Sequence, residues 1–376
     1  MQDLVHTFFD LNQTSYWYPL IWVLIGGILF DCFPKVTLLV NGRYHRRWYW
    51  ISAFFVVLPL ILWSGFRHSF VDTYAYIRSF NTTSSNLADI PALIAEDSKD
   101  VGFYSLIIVL KAMGVKTYTV FFMILAIIQM LCIVHFFRKY SPNFWISIFL
   151  FVASTDYLSW MHNTIRQFTA VCILLVAFDL LVERRYCLFS IIVLLCSTIH
   201  GSALMMFPLA YVMRGTALNR KTLLAIAATV VLIPFLDQLM PFLSDMLSDT
   251  QYNDVTTNDI WVNDDGTNPV RVLVYSVPAL VAFFGWKYIR TSDDPAMNMC
   301  VNASVITMAL YLISAFTSGI YIGRLPIYTT LHGYVALPWM FKQIFEKNSI
   351  SLMNVLMLTF YVLFYYYQIS ITWGLT

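Results

Sequence analysis

The chain has 376 residues, of which 59% are hydrophobic and only 12% charged, with a mean hydropathy of +0.68. That balance excludes a soluble globular domain and marks an all-α polytopic membrane protein. The formal net charge of +2 gives no footprint for a nucleic-acid partner, so the distribution of charge carries the information rather than its sum.

Lys35 is the first Lys or Arg, so a cleavable signal peptide is not expected. Apolar stretches run over 16–33, 48–66, 117–137, 143–159, 163–182, 186–199, 201–213, 222–241, 271–289, 298–318, 325–341 and 349–371. Several are shorter than the ~20 residues of an ordinary spanning helix. One more candidate, Gly102 to Gly114, carries Lys111 and is bounded by glycine at both ends. Charge arbitrates. If 102–114 does not cross, the segments from 117 onward leave Arg138, Lys139, Arg184, Arg185, Arg214, Arg220, Lys221, Lys287, Arg290, Lys342 and Lys347 on one side, and Arg166, Arg271 and Arg324 on the other. Lys35, Arg43, Arg46 and Arg47 join the larger group. The positive-inside rule then gives about twelve transmembrane helices with both termini outside, and 102–114 as a re-entrant or interfacial helix. The expected organisation is a single transmembrane bundle over 1–376, with long extracytoplasmic loops at 67–116 and 242–270. Residues 242–270 hold Asp245, Asp249, Asp254, Asp259, Asp264 and Asp265 and no Lys or Arg. The six cysteines lie in or beside apolar segments without a C-x-x-C pair, and read as small buried apolar residues.

Under this topology the unusual polar residues fall at the outer ends of helices. Arg67 and His68 follow the second span, and Asp72, Tyr74 and Tyr76 come next. Asn163, Arg166 and Gln167 open the apolar run 163–182, and His200-Gly-Ser202 separates two short apolar stretches. Tyr321 and Arg324 precede the eleventh span, Tyr328 lies at its start, and Arg271 opens the ninth. A guanidinium at the mouth of a membrane helix is costly unless it meets an anion, a carboxylate or water. Four arginines at one face therefore point to an anionic ligand, and the planar fork of arginine suits a diphosphate. The plainer readings are outer-leaflet snorkelling for Arg166 and Arg324, a satisfied helix-end histidine for His200, an ion pair of Asp72 with Arg67 or Arg78, and the interfacial aromatic belt for Tyr74 and Tyr76. No nucleotide-binding glycine loop occurs, and no H-E-x-x-H or Cys/His spacing supports zinc, so neither a metal nor a cofactor is expected.

The ordered set Gly65-Phe-Arg67, Asp72-Thr-Tyr74, Gly102-Phe103, Asn163-Thr-Ile-Arg166-Gln167, His200-Gly-Ser202-Ala-Leu204 and Gly323-Arg324 resembles the EpsG/Wzy-type polysaccharide polymerase family. The resemblance covers residues ~60–330 in order. It implies a GT-C-like glycosyltransferase of the bacterial cytoplasmic (inner) membrane, with its active site facing the periplasm or cell exterior. Such an enzyme moves a glycan from undecaprenyl diphosphate onto a second lipid-linked repeat unit, without a metal. Membrane lipid and undecaprenyl diphosphate-linked oligosaccharides are its partners, and a chain-length regulator is compatible with it. On this reading Arg67, Arg166, Arg324 and Arg271 hold diphosphate. His200, then Asp72, serve as base, and Asn163, Gln167, Tyr74, Tyr76, Tyr321 and Tyr328 contact substrate. A flippase for lipid-linked oligosaccharide, or a ligase or acyltransferase on the same face, are the competing readings.

Overall fold

The computed structural model describes residues 16–40, 43–96, 100–235 and 266–375. Asp97 and the acidic tract up to Asp265 lie outside the described residues. The chain divides into two compact units, Met1–Leu204 with Leu352–Thr376, and Met205–Ser351.

In the first unit α1 (Tyr18–Asp31) has a proline in its first turn, where a missing N–H costs nothing. A hairpin of β1 (Lys35–Val40) and β2 (Arg43–Trp48) follows, with Lys35 opposite Trp48 and Val40 opposite Arg43. This hairpin departs from the all-α expectation. Then come α2 (Trp50–Phe66), α3 (Thr73–Thr82), α4 (Ile90–Ala95), α5 (Val101–Ala112), α6 (Tyr118–Tyr140) and α7 (Phe144–Ala153). The expected span 143–159 does not run straight. Thr155 takes a left-handed conformation (φ 63°), and α7 is bent by 70° against the segment that follows. That segment is α8 (Asp156–Leu158) with a π turn over Ser159–Asn163. Next are α9 (Ile165–Val182) and α10 (Tyr186–Ile199). Helix α6 packs on α2 and α9, α10 packs on α9 and α5, and α1 packs on α2 and α7.

The two ends of this unit differ in character. At one end Arg47 Nε donates to Lys139 O at 3.1 Å and Arg138 Nε to Trp48 O at 2.5 Å, so the basic hairpin is fastened to the end of α6. Asp179, in the last turn of α9, receives Lys139 Nζ and the Tyr140 hydroxyl, each at 2.5 Å. At the other end α2 finishes before Arg67, α9 begins with Ile165-Arg166, and α10 finishes before His200. An aromatic cluster of Tyr76, Phe80, Phe103, Phe121 and Phe122, with Ile107, Leu125 and Ile165, joins α3, α5, α6 and the start of α9 there. Lys111, the charge that made 102–114 ambiguous, reaches the carbonyls of Phe80 and Thr83 and so caps α3.

In the second unit α11 (Met206–Met213), α12 (Arg220–Leu232), α13 (Pro269–Phe284), α14 (Trp286–Ile289), α15 (Pro295–Ala315) and α16 (Ile327–Ile344) follow in order. Helix α15 is central, packed on α11, α12, α13 and α16. Its buried Asn302 accepts from Leu218 N and donates to Met213 O, both at 2.8 Å, which pins the turn between α11 and α12. Helix α17 (Lys347–Tyr366) leads the chain back to the first unit. Among the described residues four helices are long and apolar enough to cross a membrane, or five if the bent pair at 144–163 is one span, and further apolar helices are shorter.

Candidate active site

Arg166, in the first turn of α9, does not stand alone. Its Nη1 lies 2.6 Å from Asp100 Oδ2, and its guanidinium sits 5.9 Å from the centre of the Tyr76 ring. The Asp100 side chain is 3% exposed and that of Arg166 32%. The carboxylate thus closes one side of the guanidinium while the other side stays open. Charge-assisted pairing of this kind is strong because both groups are ionised.

Glycine brings Asp100 to the end of α10. A Cβ at Gly102 would lie 2.8 and 2.9 Å from the carbonyl carbon and oxygen of Thr198, so only a residue without one lets the start of α5 meet the end of α10 so closely. Ile199 packs on the same aromatic cluster as Phe103 and Ile107. Gly102→Ala is therefore expected to destabilise the protein by about 1–3 kcal/mol, the usual range for overpacking. It should also lower turnover by moving Asp100. Thermal unfolding of the purified variant beside its activity checks both.

His200, the residue after α10, places Nδ1 2.8 Å from Ser202 Oγ, and Gln167 Nε2 donates to the same oxygen at 3.2 Å. Two residues of the N-x-I-R-Q run thus enter this region by different routes, Arg166 through Asp100 and Gln167 through Ser202. A serine oxygen accepts two hydrogen bonds. Ser202 Oγ accepts from Gln167 and is bonded to the imidazole, so it holds Gln167 and the His200 ring together. His200 is half-buried.

Arg67 is 1% exposed. Its Nη1 donates to Ser64 O at 2.5 Å and to Ser64 Oγ at 3.0 Å, and the guanidinium lies 4.0 Å from the centre of the Phe122 ring. No carboxylate pairs with it among the described residues, and its buried Nε has no partner. The guanidinium caps the carbonyl end of α2, where a cation is favoured. His162 is fully buried nearby and donates from Nδ1 to Tyr157 O at 3.2 Å, leaving Nε2 unpartnered. Asn163 Oδ1 is likewise buried without a partner.

Other candidates fall further out. Asp72 stands at the N-terminus of α3, makes no capping bond and forms no ion pair with Arg67 or Arg78. Tyr74 is 77% exposed, whereas Tyr76 is buried against Arg166. In the second unit Arg271 lies in the first turn of α13 with its guanidinium 5.4 Å from the centre of the Tyr275 ring. Arg324 closes a 3-10 turn over Ile322–Arg324. Thr267 N donates to Ser314 O at 2.9 Å and Ser314 Oγ to Thr267 Oγ1 at 2.8 Å. These bonds tie the approach to α13 to the end of α15. A Cβ at Gly323 would lie 2.7 Å from Thr267 Oγ1, so Arg324 and Arg271 belong to the same end of this unit. Tyr321 is half-buried and Tyr328 is buried. Among the described residues no group of three or more His, Cys, Asp or Glu side chains is arranged to hold a metal.

Apolar helices of spanning length, with paired and buried charge gathered at helix ends, define an integral membrane protein. Within that class the chain belongs to the EpsG family, whose model matches residues 50–373. The match takes in every residue named in this section. No curated protein and no solved structure matches the chain.

Proposed function

We propose that this protein is a polysaccharide polymerase that lengthens a glycan by transferring it from undecaprenyl diphosphate to a second lipid-linked repeat unit. Membership of the EpsG family supports polymer synthesis. The observation that carries the chemistry is the half-open Arg166–Asp100 pair in the same unit as the Gln167–Ser202–His200 chain. The acceptor hydroxyl oxygen bonds to the anomeric carbon of the donor, whose bond to the phosphate oxygen breaks. The hydroxyl proton passes to His200 Nε2, and the departing diphosphate carries the displaced electron pair. Arg166 meets that developing charge, and fixed donors of this kind are worth about 3 kcal/mol of barrier each. Arg67 supports the field from its buried position. Arg271 and Arg324 of the second unit are assigned to diphosphate as well. Asn163, Gln167, Tyr76, Tyr321 and Tyr328 are assigned to substrate contact, and no metal is required. Asp72 and Tyr74 take a lesser place, at the edge.

Orientation follows from charge. Lys35, Arg46, Arg47, Arg138, Lys139, Arg184 and Arg185 all belong to the end of the first unit opposite Arg166. The positive-inside rule puts that end in the cytoplasm and the reacting groups outside. About twelve crossings in a GT-C-like arrangement remain the preferred topology, with α5 as the interfacial element. Purified protein supplied with lipid-linked repeat units should yield a ladder of polymer lengths. Repeat units that cross the bilayer without lengthening would instead identify a flippase, and transfer of a single unit to a different acceptor a ligase.

A further inference from the structure

We propose that Asp100 is a positioning residue for Arg166, holding the guanidinium from its buried side and setting the charge that the open side offers to a diphosphate. The inference rests on reading Arg166 as a diphosphate ligand. Two observations carry it. Asp100 is the N-cap of α5, where an aspartate ordinarily accepts from the first N–H groups of its own helix, yet its side chain makes no such bond. Its backbone is left-handed (φ 60°, ψ 38°), a conformation aspartate adopts more readily than most residues with a Cβ. The carboxylate is given instead to Arg166 at 2.6 Å, with 3% of the Asp100 side chain exposed against 32% for Arg166. A helix cap is forgone to place one carboxylate behind one guanidinium.

That placement has two consequences for a diphosphate. An unrestrained arginine side chain must lose its rotamer freedom when ligand binds, whereas one already held by a carboxylate has lost it beforehand. The negative charge behind Arg166 also offsets part of its attraction for a bound diphosphate. Tight binding of substrate and product alike does not accelerate the reaction, and a product held too firmly delays the next turn. Asp100 thereby favours both the correct geometry and release.

Geometry and charge separate in two substitutions. Asp100→Asn removes the charge and weakens the hold. Asp100→Glu keeps the charge but pushes the guanidinium outward by one methylene. The test uses full-length protein in lipid nanodiscs, with polymer formation as activity and inorganic pyrophosphate as competing probe. In Asp100→Asn, pyrophosphate should inhibit about tenfold more tightly, the effect of removing one nearby charge at effective protein dielectric. Its turnover should fall about 100-fold, as a displacement of roughly 1 Å does in oriented sites. In Asp100→Glu, turnover should fall at least about tenfold while inhibition stays within about twofold of wild type. Arg166→Ala has no polymer formation left to inhibit, so it is read by direct titration, in which it should bind pyrophosphate at least about tenfold more weakly than wild type. If it does, and both Asp100 variants match wild type in turnover and inhibition, the positioning role is overturned while the diphosphate reading stands. An unchanged inhibition constant in Asp100→Asn, with only the active fraction reduced, also overturns it, because a purely structural carboxylate behaves so. Should Asp100→Asn not accumulate, wild-type turnover in Asp100→Glu is decisive against the proposal. Wild-type affinity of Arg166→Ala for pyrophosphate in that titration overturns the diphosphate reading itself, and this inference with it.

Discussion

Arg166→Ala should stop polymer growth, and the structure adds that it should also lower the amount of folded protein. Removing the guanidinium leaves the Asp100 carboxylate, whose side chain is 3% exposed, without its ionic partner. Breaking a buried pair on one side typically costs about 3–5 kcal/mol. Loss of polymer in this variant alone therefore mixes two effects. The double variant Asp100→Asn/Arg166→Ala separates them, because with no buried charge left to compensate, abundance and thermal stability should recover most of that loss. Polymer should not return, since the donor facing the diphosphate is still missing and one such donor is worth about 10²–10³ in rate. Arg166→Lys gives the complementary result. It keeps charge opposite Asp100 and near-normal abundance but lacks the planar fork, so turnover should remain at least about tenfold down. Gel-resolved polymer length with protein quantified in the same membranes reads all three variants. Full-length polymer from the double variant would remove Arg166 from the chemistry.

The same comparison reorders the four arginines. Arg67 gives Nη1 to Ser64, lies over the Phe122 ring and is enclosed, so its first effect is on the end of α2 and on the field around it. Arg166 is held at 2.6 Å by a buried carboxylate while 32% of its side chain is exposed. Snorkelling, the plain alternative for a guanidinium at a membrane edge, does not describe a side chain bonded at 2.6 Å to a buried carboxylate.

Much of this arrangement was legible in the sequence, for definite reasons. Apolar runs mark where helices form, and 186–199 coincides with α10 while 163–182 gives α9 nearly to the residue. Gln167 and His200 were singled out separately and meet on Ser202. The β1–β2 hairpin was missed although Asn41-Gly42 stands between two strand-forming runs, the strongest short-range hairpin signal. A search for long apolar windows passes over two six-residue strands, K-V-T-L-L-V and the mostly basic R-Y-H-R-R-W. Asp100 was missed for another reason. It was one of several acids in the long 67–116 loop, and nothing local sets it apart from Asp72, Asp89 or Glu96. What selects it is the approach of Gly102 to Thr198, a contact between helices far apart in the chain. Asp72 is the second choice of base on the D-x-Y motif, with an ion pair to Arg67 or Arg78 as its plain alternative. A positive-φ turn at Phe70 and Val71 separates it from Arg67, and no ion pair forms.

His200→Ala should reduce polymer formation by about 10²–10⁴-fold, the range for losing a general base, with apparent affinity for lipid-linked substrate little changed. The split follows from position. The imidazole is half-buried and anchored through Nδ1, so it contributes chemistry at Nε2 rather than charge to a diphosphate. Ser202→Ala should be graded rather than absolute. It removes the oxygen that fixes the ring, leaving the base present but poorly aimed, and a loss of about tenfold to 100-fold is expected for misorientation. Gln167→Ala acts one step further back, through the 3.2 Å bond to Ser202, and should cost less than Ser202→Ala. Kinetics on the three purified variants then give an ordered series in turnover, with a nearly constant KM in the His200 and Ser202 variants. A packing histidine predicts something different: loss of thermal stability, normal turnover per folded molecule and no order among the three. That pattern would move the base elsewhere.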